Sequence, residues 1–279
     1  MFDIATVSFS DPAAPVAFAK SLRETGFAVL SDHPIKRERI EATYADWGRF
    51  FNSDGKHQFT VDTERQDGFF PFRSENAKDS AVKDLKEFYH VYPDGRLPED
   101  LEASTRSIYS DLVEIGETLL AWIQNETPED VKAGFSEPLP DMLAGSKQNL
   151  LRILHYPAMV KPPEPGAVRA AAHGDINLIT VLLAGSAPGL EAKDIHGNWH
   201  AVPCDPGMIA INAGDMLEMA SGGYYPSTVH QVVNPDTTDG GARFSMPMFL
   251  HPRPEVVLKA GTTADDFLNE RLREIGLKT

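Results

Sequence analysis

The sequence predicts a mainly β protein with flanking helices, built on an antiparallel sandwich or barrel of jelly-roll type. Three observations carry that expectation. From residue 147 the apolar pattern changes from a helical period to alternation and short apolar runs. Those runs are punctuated by glycine, proline and Asx clusters such as AGSAPG, CDPG and NPDTTDGG, the spacing of short strands in a closed or doubled sheet. Helical periodicity is confined to about the first 125 residues and to the segment Ala264–Ile275, which puts the helices outside the β-core.

In chain order, Asp11-Pro12 reads as an N-cap followed by proline at the first helical position. Val16, Ala19 and Leu22 continue that helix to about Gly26, and GFAVL, ending at Leu30, follows as a strand. A second helix runs from about Ile35 to Phe51, with Ile40, Tyr44, Trp47 and Phe51 on one face. Residues 53–97 mix charges, glycines and aromatics, which suits loops and short strands lying over another surface. A long helix from about Pro98 to Gln124 aligns Leu101, Ile108, Leu112, Ile115, Leu119 and Ile123. Candidate strands are 148–156, 167–173, 177–184, 189–194, 208–213, 216–220, 228–233 and 243–250. The last helix, Ala264–Ile275, carries Phe267, Leu268, Leu272 and Ile275. No low-complexity linker divides the chain, so 1–279 is expected to be a single domain. Its parts are a helical N-terminal region with covering loops (1–146), the β-core (147–253) and a C-terminal helix (254–279).

Composition narrows the chemistry. With 26 basic and 41 acidic side chains the formal net charge is −15, which argues against nucleic acid or a membrane surface as partner, since both select basic faces. Cys204 is the only cysteine, so neither an internal disulfide nor a paired-cysteine zinc site is available. The start MFDIATVSFSDP lacks the charged and apolar regions of a signal peptide, and no apolar run is long enough to span a bilayer. A cytoplasmic setting is expected. There is no strand–GxGxxG–helix unit for a nucleotide and no GxSxG elbow for a serine nucleophile. Nothing in the sequence bears on oligomeric state.

The histidines carry the strongest signal. His173-Gly174-Asp175 stands where a candidate strand ends, and residues two apart in an extended segment point to the same side. His230 follows on another candidate strand, STVHQVV, 55 residues after Asp175. Two imidazoles and one carboxylate on one face of a metal make the facial triad of non-haem Fe(II) oxygenases, with three positions left open. Thirteen residues on, Arg243-Phe244-Ser245 puts a guanidinium and a hydroxyl on one face of the next strand. That pair suits a bidentate grip on a carboxylate. An inward arginine also needs an anion, either a ligand or a structural Asp or Glu.

The ordered set HGD, STVHQVV and RFS resembles the isopenicillin N synthase-like group of Fe(II)/2-oxoglutarate-dependent dioxygenases. The resemblance extends over GFAVLSDHPI, LRILHYP, HGDINLITVLL, GNWHAVP, INAGDMLEMASGGYYPSTVH and RFSMPMFLHP. It implies a double-stranded β-helix, a distorted jelly roll with helices packed outside. It implies Fe(II) on His173, Asp175 and His230, with O2 and 2-oxoglutarate as cosubstrates. It also implies that Arg243 and Ser245 hold the distal carboxylate of 2-oxoglutarate and that Tyr156 contacts the same cosubstrate. Two positions depart from the family pattern: Leu154 replaces a frequent asparagine and Gln231 a common arginine. The implied reaction is oxidation of a small molecule, most simply hydroxylation, with release of succinate and CO2. Asp175 speaks against a halogenase, in which a small residue vacates that position.

If Tyr156 faces the cosubstrate, strand alternation brings Leu154 and Arg152 to the same inner face. Arg152 is then a candidate substrate contact, and its charge suggests a carboxylate-bearing substrate. Phe70 and Phe88, from the aromatic stretch 69–92, are candidate substrate contacts as part of a lid. His155, His196, His200 and His251 are expected to be packed or surface side chains. Two other readings remain open: an Fe(II) oxidase resembling isopenicillin N synthase or aminocyclopropanecarboxylate oxidase that does not use 2-oxoglutarate, and a catalytically silent ligand-binding jelly roll.

Overall fold

The computed structural model describes residues 2–62, 64–75, 82–159, 161, 163–235 and 241–274. Along the N-terminal half lie β1 (Thr6–Ser8), α1 (Ala14–Thr25), β2 (Phe27–Ser31), α2 (Arg37–Phe51), a 3-10 helix (Asp54–Phe59), β3 (Gly68–Phe70), β4 (Glu87–Val91), α3 (Glu99–Glu126), α4 (Glu129–Lys132) and α5 (Leu139–Leu143). The C-terminal half continues with β5 (Leu150–Tyr156), β6 (Ala170–His173), β7 (Ile179–Leu183), β8 (Leu190–Lys193), β9 (Trp199–Ala201) and β10 (Ile209–Ala213). It ends with α6 (Asp215–Ala220), β11 (His230–Val232), β12 (Arg243–Leu250), β13 (Val257–Lys259), β14 (Thr262–Thr263) and α7 (Ala264–Glu274). No helix among the described residues is long and apolar enough to cross a membrane.

Helix α1 begins two residues later than Asp11-Pro12 suggested. The Asp11 carboxylate accepts the Ala13 N–H at 2.8 Å, and Pro15 falls in the first turn instead. Its buried face is Ala14, Phe18, Ala19, Leu22 and Thr25, while Val16 is exposed. The helix stops at Gly26, whose φ of 71° is left-handed and whose N–H bonds the Leu22 carbonyl at 2.8 Å. A Cβ here would lie 2.2 Å from Thr228 Oγ1 and 2.7 Å from the Pro226 carbonyl, on the segment leading into β11. Gly26→Ala therefore combines a left-handed alanine with an overlap against backbone. It is expected to lower unfolding free energy by about 2–4 kcal/mol, measured by chemical denaturation. A variant as stable as the parent would show that the cap is not constrained.

The jelly roll is two packed sheets. The larger has the order β1-β2-β10-β7-β12-β5-β4-β3, and the smaller β6-β11-β8-β9. Only β1 and β2, joined through α1, pair parallel in the larger sheet. Alternation sorts its two faces by chemistry. Leu151 and Ile153, Val181 and Leu183, Ile209 and Ile211, and Met246 and Met248 all enter one apolar core with α1, α2 and α3. The opposite face carries Arg152 and Tyr156 on β5, Thr180 on β7, Asn212 on β10, and Arg243 and Ser245 on β12. The face turned toward the smaller sheet holds these polar groups beside a second apolar cluster that includes Phe27, Val29, Ala210 and Ala192. That face positions the site.

Three expectations change. Segment 216–220 is helix α6, not a strand. Its Met, Leu, Glu and Ala are good helix formers, and a short apolar run does not distinguish strand from helix by period. Strand β9, Trp199–Ala201, is absent from the candidate strands; Asp194 and Gly197 close the hairpin before it, and Trp199 pairs with Lys193. The aromatics of 69–92 are largely sheet: β3 and β4 extend the larger sheet past β5. Phe69 and Tyr89 join the helical core, whereas Phe70 and Phe88 stack on the inner side with centroids 4.5 Å apart. Helix α7 is described through Glu274, and Ile275 lies outside the described residues.

Candidate active site

His230 opens β11 directly opposite His173, the last residue of β6, so the antiparallel register alone sets the two imidazoles side by side. Their ring centroids are 4.5 Å apart. Asp175 follows just past the strand end, its Oδ1 3.9 Å from His173 Nε2 and 3.7 Å from His230 Nε2. Those separations are too long for hydrogen bonds. The three ligand atoms lie within 4.8 Å of one another.

Outer contacts aim each ligand. His173 Nδ1 donates to the Ala171 carbonyl at 2.7 Å and His230 Nδ1 to the Thr228 carbonyl at 3.1 Å, which leaves both Nε2 lone pairs free. Asp175 Oδ2 accepts Thr180 Oγ1 at 2.5 Å and Asn212 Nδ2 at 2.8 Å, which turns Oδ1 to the imidazoles. Burial pushes the His173 pKa down to about 4, with His230 adding to the effect, so this ring is neutral at pH 7. Burial works against ionising Asp175, yet His230, His173, Asn212 and Thr180 together hold its pKa below the ordinary value. Two imidazoles and a carboxylate with no hydrogen bond between them form a donor set for a divalent ion. Asn212→Ala or Thr180→Val is expected to weaken Fe(II) or Mn(II) binding about 10- to 100-fold with the fold intact. Metal titration checks this; parental affinity in both variants would break the link.

The second group sits where β12 meets β5. Arg243 pairs in register with Tyr156, and Ser245 with Leu154. The Arg243 Nε donates to the Ala187 carbonyl at 2.9 Å and Nη1 to Ser245 Oγ at 3.3 Å, with Cζ 5.1 Å from the Tyr156 ring centroid. A Cβ at Gly185 would lie 2.5 Å from Nη2, so glycine there makes room for the guanidinium. Arg243 is 2% exposed. No carboxylate pairs with it among the described residues, so a ligand anion accounts for the charge better than a structural one.

A cavity of about 810 Å³ opens beside the triad, lined among others by His173, Asp175, Arg152, His90, Gln148 and His251. Arg152 reaches it as alternation required. Its charge, however, is already met: Nη1 and Nη2 bond the two Glu75 oxygens at 3.1 and 3.3 Å, and Nε donates to His90 Nε2 at 2.8 Å. Lys86 closes the network onto Glu75 at 3.0 Å and Asp84 at 2.8 Å. Burial and the neighbouring Arg152 guanidinium hold the His90 pKa well below its ordinary value, so this ring accepts from Arg152 while Nδ1 donates to the Gln66 carbonyl. Phe88 lies behind Arg152, its ring centroid 4.6 Å from the guanidinium carbon. Neither Phe70 nor Phe88 lines the cavity; they are a buried stacked pair inside the sheet, not a lid. Arg243, Ser245 and Tyr156 also lie off the cavity lining.

Sequence reasoning missed several residues. Gln148, Ser227 and His251 each line the cavity and hold a buried polar side-chain atom without a hydrogen-bond partner. His251 is a packed side chain, as expected, and burial pushes its pKa down to about 4. Lys86 and His90 line the cavity from β4 and the residue before it, but no sequence period marks them, and nothing local marks Gln148 or Ser227. His155, which bonds Glu87 at 2.7 Å, and His200, which bonds Asp194 at 2.8 Å, are packed side chains as expected.

Comparison with known proteins bears on this geometry directly. Residues 147–252 match the model of the 2OG-Fe(II) oxygenase superfamily, and residues 3–110 match the N-terminal model of non-haem dioxygenases in morphine synthesis. A Shewanella oneidensis crystal structure described as an oxygenase shares 50% identity over 98% of this chain and 99% of its own, with a TM-score of 0.89. A Caulobacter crescentus structure assigned to the 2OG-Fe(II) oxygenase family shares 33% identity over the same shares, with a TM-score of 0.82. The 2-oxoglutarate-dependent dioxygenase citB of Monascus ruber is 28% identical over 81% of this chain and 74% of its own length. These relatives favour the keto-acid-dependent reading over the oxidase. The chain belongs to the 2OG-Fe(II) oxygenase superfamily, and it is a non-haem Fe(II)- and 2-oxoglutarate-dependent dioxygenase.

Proposed function

We propose that His173, Asp175 and His230 hold Fe(II), that Arg243, Ser245 and Tyr156 hold the distal carboxylate of 2-oxoglutarate, and that the cavity takes an uncharged polar small molecule for hydroxylation. The convergence of the two Nε2 atoms and Asp175 Oδ1 carries the reading. Bound Fe(II) and 2-oxoglutarate supply the O2 chemistry, in which one oxygen atom enters the substrate and the other enters succinate, with loss of CO2. The chain supplies placement. Thr180 and Asn212 fix the carboxylate ligand, Arg243 fixes the cosubstrate's far end, and the walls keep the reacting carbon near the metal.

The expected carboxylate-bearing substrate rested on Arg152, and Glu75 competes for that charge. An anionic substrate would have to displace a buried carboxylate that Arg152 and Lys86 hold below its ordinary pKa against the opposing effect of burial. The free polar atoms at Gln148, Ser227 and His251 favour neutral donors and acceptors instead. The lone, partly buried Cys204 fits a reducing compartment such as the cytoplasm. One core joins helices α1–α3 to the jelly-roll strands, which supports a single working domain.

The test is anaerobic titration with Fe(II) and 2-oxoglutarate, then succinate detection in air with a panel of neutral and anionic small molecules. Succinate formation stimulated by neutral polar compounds is expected. A protein that binds neither ligand would overturn the site assignment, and stimulation confined to anions would overturn the substrate class.

A further inference from the structure

A second arginine stands at the proposed cosubstrate recess. Arg169, just ahead of β6, is 2% exposed. Its Nη2 makes one long hydrogen bond, 3.3 Å to the Gly241 carbonyl, and its Nε is buried without a partner. No carboxylate pairs with it among the described residues. Its Cζ lies 5.8 Å from the centroid of the Tyr156 ring, the ring that Arg243 approaches at 5.1 Å. Burial and then the Arg243 charge push the Arg169 pKa down, so the two guanidiniums repel each other.

The backbone holds Arg169 there. Asn234 Nδ2 donates to the Ala167 carbonyl at 2.7 Å, the Leu85 N–H to the Val168 carbonyl at 3.0 Å, and the Ala171 N–H to Asp84 Oδ1 at 3.0 Å. Two like charges buried around one phenol, each without a carboxylate partner among the described residues, are unfavourable unless an anion completes the group.

We propose that Arg169 joins Arg243 on the distal carboxylate of 2-oxoglutarate, so that two guanidiniums select 2-oxo acids with an anionic far end. The inference rests on the assignment of Arg243 above. A purely structural Arg169, packed on Tyr156, makes a different forecast.

The discriminating probe is 2-oxovalerate, which keeps the five-carbon chain and the 2-oxo acid end but has a methyl group in place of the distal carboxylate. Dissociation constants for both acids are measured calorimetrically on anaerobic Mn(II)-loaded protein for the parent, Arg169→Gln, Arg169→Lys and Arg243→Ala. Arg169→Gln is expected to weaken 2-oxoglutarate by about 10-fold or more, with 2-oxovalerate unchanged and partial recovery in the lysine variant. Arg169→Met keeps the stem against Tyr156 without the charge and answers the same question if the glutamine variant does not fold. Equal weakening of both acids, or of neither, overturns the proposal. If Arg243→Ala alone loses the preference for 2-oxoglutarate, the Arg243 assignment stands and only Arg169 falls. If the parent shows no preference, both fall.

Discussion

Asp175→Ala is expected to lower Fe(II) affinity more than about 100-fold, beyond the usual effect of removing an outer partner of a ligand, and to leave the fold standing. Of the three proposed ligands, Asp175 is the only one that would bring negative charge to a divalent ion. Its side chain is buried, with Oδ2 held by Thr180 and Asn212 and Oδ1 facing both imidazoles. Removing the carboxylate leaves the Asn212 amide short of an acceptor, while Thr180 keeps a hydrogen-bonding partner in Asn177. The stability loss is therefore about 1–2 kcal/mol, too small to unfold a domain of this size. The measurement is iron content after anaerobic loading, alongside circular dichroism. His173→Ala and His230→Ala should follow the same pattern. Iron near the parental level in all three variants would remove the triad.

The candidate metal site could be read from the chain because its geometry is local. His173 and Asp175 are two apart at a strand end, and the only long-range step is the register that sets His230 opposite His173. Arg243 and Ser245 could be placed on one strand face for the same reason. The wall of the cavity could not be read. Arg152 meets Glu75 across 77 positions of sequence, and no period or motif links them. In β4 all five residues are buried, so the alternation that marks a half-buried strand is absent. Phe70 and Phe88 then look like a loop's aromatics when they are a stacked pair inside the sheet. The error at α6 has another cause. An apolar run of a few residues fits either period, and Gly214, the N-cap, opens the helix by letting the Asp215 and Met216 N–H groups reach carbonyls of 175–177.

Arg243→Ala is expected to raise the dissociation constant for 2-oxoglutarate by about 10- to 100-fold, the value of a charge-assisted bidentate contact, with iron binding unchanged. The separation of effects follows from the fold. Arg243 stands on the larger sheet, bonded to Ser245 and the Ala187 carbonyl, and shares no hydrogen-bond partner with His173, Asp175 or His230. Removing its charge should relieve strain in the unliganded protein, because no described carboxylate offsets it and Arg169 repels it. The variant is therefore expected to fold at least as well as the parent while binding the keto acid worse. That opposition of sign is the mark of a group kept for a ligand: a structural ion pair would lose stability and leave 2-oxoglutarate affinity alone. Calorimetric titration of anaerobic Mn(II) protein, thermal unfolding and succinate formation in air together decide between them. Parental affinity for 2-oxoglutarate in the alanine variant would place the distal carboxylate elsewhere, and a matching fall in stability would make Arg243 a structural residue.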